Sequence, residues 1–91
     1  MRTNKQVNDE MSRLLLMKPK VRNRSAFGDD HHMAIDAQLI VLRDQMSEDD
    51  IYNTWIGNDE MYLLENALEA RKWLDGEGDK PSKDWKDLVL K

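Results

Sequence analysis

The chain contains no cysteine. That removes a disulfide scaffold, cysteine-ligated zinc and a thiol nucleophile at once. Its four glycines, Gly28, Gly57, Gly76 and Gly78, are scattered, so no glycine-rich phosphate loop is present. No apolar run is longer than Leu39 to Leu42, far short of the roughly 20 residues that span a bilayer. The first ten residues carry charges and amides where a secretory leader needs an apolar stretch, so no membrane partner and a cytoplasmic location are expected. No segment alternates apolar and polar residues over a convincing strand length.

What remains is a 91-residue chain of net charge −4. It is long enough for a single helical domain over residues 1–91 and too short for a full core plus a deep catalytic cleft. Charge is unevenly spread. Residues 1–24 hold seven bases and two acids, net +5, and residues 25–91 hold seven bases and 16 acids, net −9. Such bipolarity is met either by the basic strip packing across the chain's own acidic helices or by surfaces for oppositely charged partners.

The helical period recurs along the sequence. Thr3 and Gln6 form a capping-box pattern ahead of the stripe Val7, Met11, Leu14 and Leu15, predicting a helix over 4–17. Pro19 is expected to end it by driving Lys18 out of the α region. Residues 18–24 read as a basic linker. Asp29 or Asp30 is placed to cap a second helix that runs to about Met46 on the stripe Ile35, Leu39, Leu42 and Met46. Ser47 caps a short helix ending near Trp55, and Asn58 or Asp59 caps a longer one carrying Leu63, Leu64, Ala67, Leu68, Ala70, Trp73 and Leu74. Gly76 stops that helix, and Ser82 caps a last turn in which Trp85, Leu88 and Val89 pack back. The fold class is all-α: a bundle of about four helices with a short C-terminal turn. Ile35, Leu39, Leu42, Leu64, Leu68 and Trp73 are the expected core.

Few constellations could carry chemistry. Both histidines, His31 and His32, lie among Asp29, Asp30 and Asp36, and imidazole with carboxylate suits a divalent metal. The spacing matches no recurrent zinc pattern, and adjacent residues on a helix point about 100° apart. An acid-capped first turn with histidines on the rim of a core helix explains the same residues, so no metal or other cofactor is expected. Ser25 near His31 lacks the Gly-x-Ser-x-Gly elbow of a nucleophile. An enzyme is not expected.

Binding surfaces are better supported. Lys18, Lys20, Arg22 and Arg24 place four cations in seven residues without an acid, and Phe27 follows close enough to stack on a base. This is a candidate nucleic-acid strip, although the acidic balance of the whole chain disfavours it. The acids of the C-terminal part could instead imitate a nucleic-acid backbone and block a host enzyme's basic groove. Asp29 and Asp30 are further candidate contacts. Trp55 and Trp85 would serve as interface anchors if left exposed.

Three segments, Ser25-Ala-Phe-Gly-Asp-Asp-His-His-Met-Ala-Ile-Asp-Ala-Gln38, Met46-Ser-Glu-Asp-Asp-Ile-Tyr52 and Ala70-Arg-Lys-Trp-Leu-Asp-Gly76, resemble small uncharacterised proteins carried by phages, plasmids and other mobile elements. The resemblance covers most of the chain. It implies an accessory or host-interaction role and no active site. The resulting expectation is a non-enzymatic protein acting through protein–protein contacts, self-association included, with nucleic-acid binding or nucleic-acid mimicry as the alternatives.

Overall fold

The computed structural model describes residues 1–22, 30–57 and 60–90. It is all-α, with helices α1 (Asn4–Met17), α2 (Asp30–Asp44), α3 (Glu48–Thr54) and α4 (Met61–Leu74). A 3-10 turn over Lys18–Lys20 and a 3-10 helix over Pro81–Leu88 complete it. None of the helices among the described residues is long and apolar enough to cross a membrane.

α1 begins with the capping box read from the sequence. The Thr3 hydroxyl accepts the Gln6 N–H at 3.2 Å, and the Gln6 side chain accepts the Thr3 N–H at 2.9 Å. Its buried stripe is Val7, Glu10 and Leu14, while Leu15, expected inside, is exposed. A glutamate therefore occupies a core position of this helix. Lys18 corrects another expectation, because it stays in the α region (φ −48°, ψ −52°) ahead of Pro19. The chain tightens there into a 3-10 turn, which accommodates the missing proline N–H, and Val21 N–H closes it on Lys18 O at 3.2 Å.

Val21 and Arg22, just beyond that turn, do not run as a free linker. Val21 is buried and forms an isolated antiparallel bridge with Val89. Arg22 N–H donates to Leu88 O at 3.2 Å, and Leu90 N–H donates to Lys20 O at 2.7 Å.

The centre of the molecule is the α2–α4 pair, with α1 on α2 and α3 on α4. Ala34 and Ala37 of α2 and Ala67 and Ala70 of α4 are buried, and their small side chains leave room for Ile35, Val41, Leu42, Leu63, Leu64 and Leu74 to interdigitate. Ile35, Leu42, Leu64 and Trp73 are core residues as expected; Leu39 and Leu68 pack against the core but are only half-buried. α3 turns Ile51 and Trp55 inward after the expected Ser47 cap, whose hydroxyl accepts the Asp50 N–H at 3.2 Å.

Helix ends follow local rules. After α4, Gly76 (φ +95°) lets its own N–H reach Trp73 O at 2.9 Å and Glu77 N–H reach Lys72 O at 3.0 Å, the paired bonds of a Schellman cap. α2 stops at Asp44, two residues before the expected end. Gln45 there adopts the left-handed conformation (φ +48°) while Met46 N–H bonds Val41 O at 3.2 Å. A side chain in that region is strained. Gln45→Gly should therefore raise stability by about 0.5–1 kcal/mol, measured by urea denaturation. A loss of stability would show that the Gln45 side chain contributes more than its backbone strain costs. Asn58 and Asp59, expected to cap α4, lie outside the described residues; Glu60 occupies the cap position without a side-chain bond.

Candidate interaction surface

The histidine cluster is structural glue. His31 Nδ1 lies 2.7 Å from Arg22 O, and His32 Nε2 lies 2.7 Å from Val21 O. A carbonyl oxygen only accepts, so His31 Nδ1 and His32 Nε2 are the donors here, and the other nitrogen of each ring is the one left to accept. The His31 ring also meets Trp85 edge-on, with centroids 5.4 Å apart. Asp36, the acid one turn from His32, pairs with Lys18 at 2.6 Å. Among the described residues no group of three His, Asp or Glu is placed to hold a metal ion. Asp30 opens α2, with the Tyr62 hydroxyl 3.5 Å away.

The basic strip is divided. Lys18 is half-buried and tied to α2 through Asp36, whereas Lys20 and Arg22 are exposed. Arg24, Phe27 and Asp29 lie outside the described residues. Trp55 and Trp85 are buried, at 7% and 4% exposure, so neither stands out as a surface anchor. Their indole area is taken up by the core of a small domain, and Trp85 Nε1–H finds its acceptor in Gln38 at 2.6 Å.

A different basic surface emerges from the C-terminal 3-10 helix. Three residues per turn place i and i+3 in line, so this segment has three ridges. Ser82, Trp85 and Leu88 form the inward ridge, with the first two buried and Leu88 half-buried. Lys80, Lys83 and Lys86, continued by Val89, form a second. Asp84 and Asp87 lie on the third, exposed. Glu10 holds this helix against α1: fully buried, it accepts the Ser82 N–H at 2.5 Å and the Ser82 hydroxyl at 2.9 Å, and Arg13 reaches it at 3.3 Å. Ser82 thus donates to a long-range acceptor and does not cap the turn itself; Lys80 is the cap residue.

The lysine ridge and α1 enclose two adjoining clefts. A cavity of about 480 Å³ is lined by Arg13, Met17, Asp79, Lys80, Ser82, Lys83 and Lys86. A shallower one of about 310 Å³ is lined by Arg13, Leu16, Met17, Lys20 and Val89. Shared Arg13 and Met17 join them into one surface with an apolar floor and a cationic rim. Leu16 is 72% exposed, and Leu15 and Leu90 are also exposed large hydrophobics. Lys83 is paired with Asp79 at 3.1 Å, while Lys20, Lys80 and Lys86 have no ion-pair partner among the described residues. Sequence reading missed this site because its cations come from both charge halves of the chain. The three-residue spacing Lys80–Lys83–Lys86 was the available signal.

The acidic ridge faces α4. A hydrogen bond with Asp84 is the main cause that holds the Glu69 carboxyl protonated to about pH 7, with partial burial and the charges of Asp84 and Glu65 adding to it and Lys72 opposing it. A carboxyl whose folded value lies above its ordinary one stabilises the fold below about pH 4.5 and loses that contribution as pH rises to about 7. Stability should therefore decline across this window, modestly because both groups meet solvent. Glu69→Gln should flatten the decline, read from urea midpoints at pH 5 and pH 8. An unchanged slope in the variant would assign the pH dependence elsewhere.

Comparison with known protein families, characterised proteins and solved structures finds no match.

Proposed function

We propose that this protein is a non-enzymatic interaction protein whose working surface is the cleft between α1 and the C-terminal 3-10 helix. The observation that carries the reading is an apolar floor, with Leu16 exposed and Met17 and Val89 half-buried, rimmed by Arg13, Lys20, Lys80, Lys83 and Lys86. Apolar area supplies affinity and the cations select an acidic protein surface, with charge acting mainly on encounter rate and specificity. The resemblance to small mobile-element proteins agrees with an accessory role of this kind.

Direct nucleic-acid binding draws less support. Single-strand binders combine a basic groove with exposed aromatic platforms. Here Trp55, Trp73 and Trp85 are buried, and the cleft is lined by aliphatic side chains. Mimicry of a nucleic-acid backbone is weakened by local pairing of Asp36, Asp44, Asp75 and Asp79 with bases.

Titrating isotope-labelled protein with a synthetic acidic amphipathic peptide, followed by amide shifts, tests the reading. Shifts should centre on Leu16, Met17, Lys20, Lys83 and Val89. Lys83→Glu with Lys86→Glu should weaken binding about tenfold or more, the equivalent of about 1.4 kcal/mol. A stronger, salt-sensitive response to single-stranded DNA of equal charge would favour the nucleic-acid reading instead.

A further inference from the structure

We infer that the occupant of this cleft is a second copy of the chain, which inserts the outer edge of α3. The inference rests on the cleft being an interaction surface and names what fills it. α3 turns Ile51 inward and its cap residue Trp55 packs on the core, which leaves Asp49 and Tyr52, three apart, on another side of the helix, with Ile56 just beyond its end. Tyr52 is 44% exposed and Ile56 76% exposed. Beside them Glu48, Asp49 and Asp50 have no cationic partner among the described residues. This edge is therefore apolar and acidic where the cleft is apolar and basic.

Both surfaces carry unpaired charge of opposite sign, and both expose large aliphatic groups that a monomer leaves in water. They belong to different elements: α3 rests on α4, whereas the cleft is built from α1, the Lys18–Lys20 turn and the C-terminal segment. One copy can thus offer its α3 edge while its own cleft receives another. A contact between two different patches is heterologous and builds rings or open chains rather than a closed symmetric pair. The net charge of −4 on each copy opposes approach at long range. At physiological salt that repulsion is screened beyond about 8 Å, so the short-range complementarity decides the outcome.

Sedimentation equilibrium over a range of concentrations, at low and high salt, tests this. The chain should exceed the mass of one copy as concentration rises, less so at high salt. Lys83→Glu with Lys86→Glu removes the cleft, and Tyr52→Ser with Ile56→Glu removes the edge; each variant alone should remain a single copy. Mixed in equal amounts, they should form a species of two copies and nothing larger, because one supplies the intact edge and the other the intact cleft. Far-ultraviolet circular dichroism checks folding, and Lys20→Glu with Lys86→Glu provides a second cleft variant that leaves the Asp79–Lys83 pair in place. A single copy at every concentration, undiminished association in either variant, or a mixture that stays at one copy would overturn the inference. If the chain stays single yet its cleft takes the acidic peptide, the second copy is wrong and the cleft reading stands. If it stays single and responds only to single-stranded DNA, both are wrong.

Discussion

Replacing Glu10 with alanine should destabilise the protein by about 2–6 kcal/mol, since two buried donors lose their acceptor at about 1–3 kcal/mol each. Glu10 is fully buried and accepts two hydrogen bonds from Ser82, across 72 residues of chain, as well as the Arg13 contact. Alanine would leave the buried Ser82 N–H and hydroxyl without their acceptor beside a void. Against a total stability of about 5–15 kcal/mol for a domain of this kind, that loss is large. Glu10→Gln keeps the volume but turns one acceptor into a donor facing other donors, and should cost about 1–3 kcal/mol. Urea denaturation gives both values. Since Glu10 anchors the lysine ridge to α1, the alanine variant should also lose cleft binding while α2 and α4 keep their helical signal. An alanine variant as stable as the parent would mean that Ser82 finds another acceptor.

The parts of this fold that local chemistry dictates were legible in the sequence. Thr3 and Gln6, Ser47 and Gly76 each fix a helix end through bonds within a few residues, and each lies where the sequence places it. Tertiary choices were harder to read. Glu10 lies at the spacing of Val7 and Leu14, but an acid on a core stripe reads as a surface residue until its partner, far away in sequence, is known. Leu15 follows the apolar stripe of Val7, Met11 and Leu14 by spacing, but it adjoins Leu14 about 100° around the helix, and α1 buries a narrower face than that stripe. His31 and His32 look like ligands because their carbonyl partners, Arg22 and Val21, carry no side-chain signature. The cleft was hidden for a related reason. Its cations are split between residues 13–20 and 80–86, and a 3-10 helix aligns every third residue, a period that a search for 3.6-residue helices passes over. Trp55 and Trp85 were ambiguous in principle, since the same residue type anchors cores and interfaces.

Trp85→Ala should cost about 3–5 kcal/mol, through lost packing and the cavity left in a core too small to collapse around it. Trp85 is the point where three parts of the molecule meet. Its ring meets His31 at the start of α2, its Nε1–H donates to Gln38 in the middle of α2, and its backbone belongs to the helix that carries the lysine ridge. Gln38 is fully buried and passes the bonding on: its amide donates to Asn66 at 3.2 Å, and Asn66 donates to Tyr62 O at 2.7 Å. Two weights can therefore be separated. Trp85→Phe retains most of the apolar volume but leaves the Gln38 oxygen without its donor, which should cost about 1–3 kcal/mol. Gln38→Leu orphans the indole N–H and also removes the donor to Asn66, so it should cost at least as much. The double variant, Trp85→Phe with Gln38→Leu, should be less destabilised than the two single changes added together, because an apolar pair leaves neither polar group stranded. Denaturation of all four proteins completes the cycle. Strict additivity would mean that Trp85 holds the C-terminal helix by ring packing alone, and the polar relay from Trp85 to Tyr62 would then play no part in positioning the cleft.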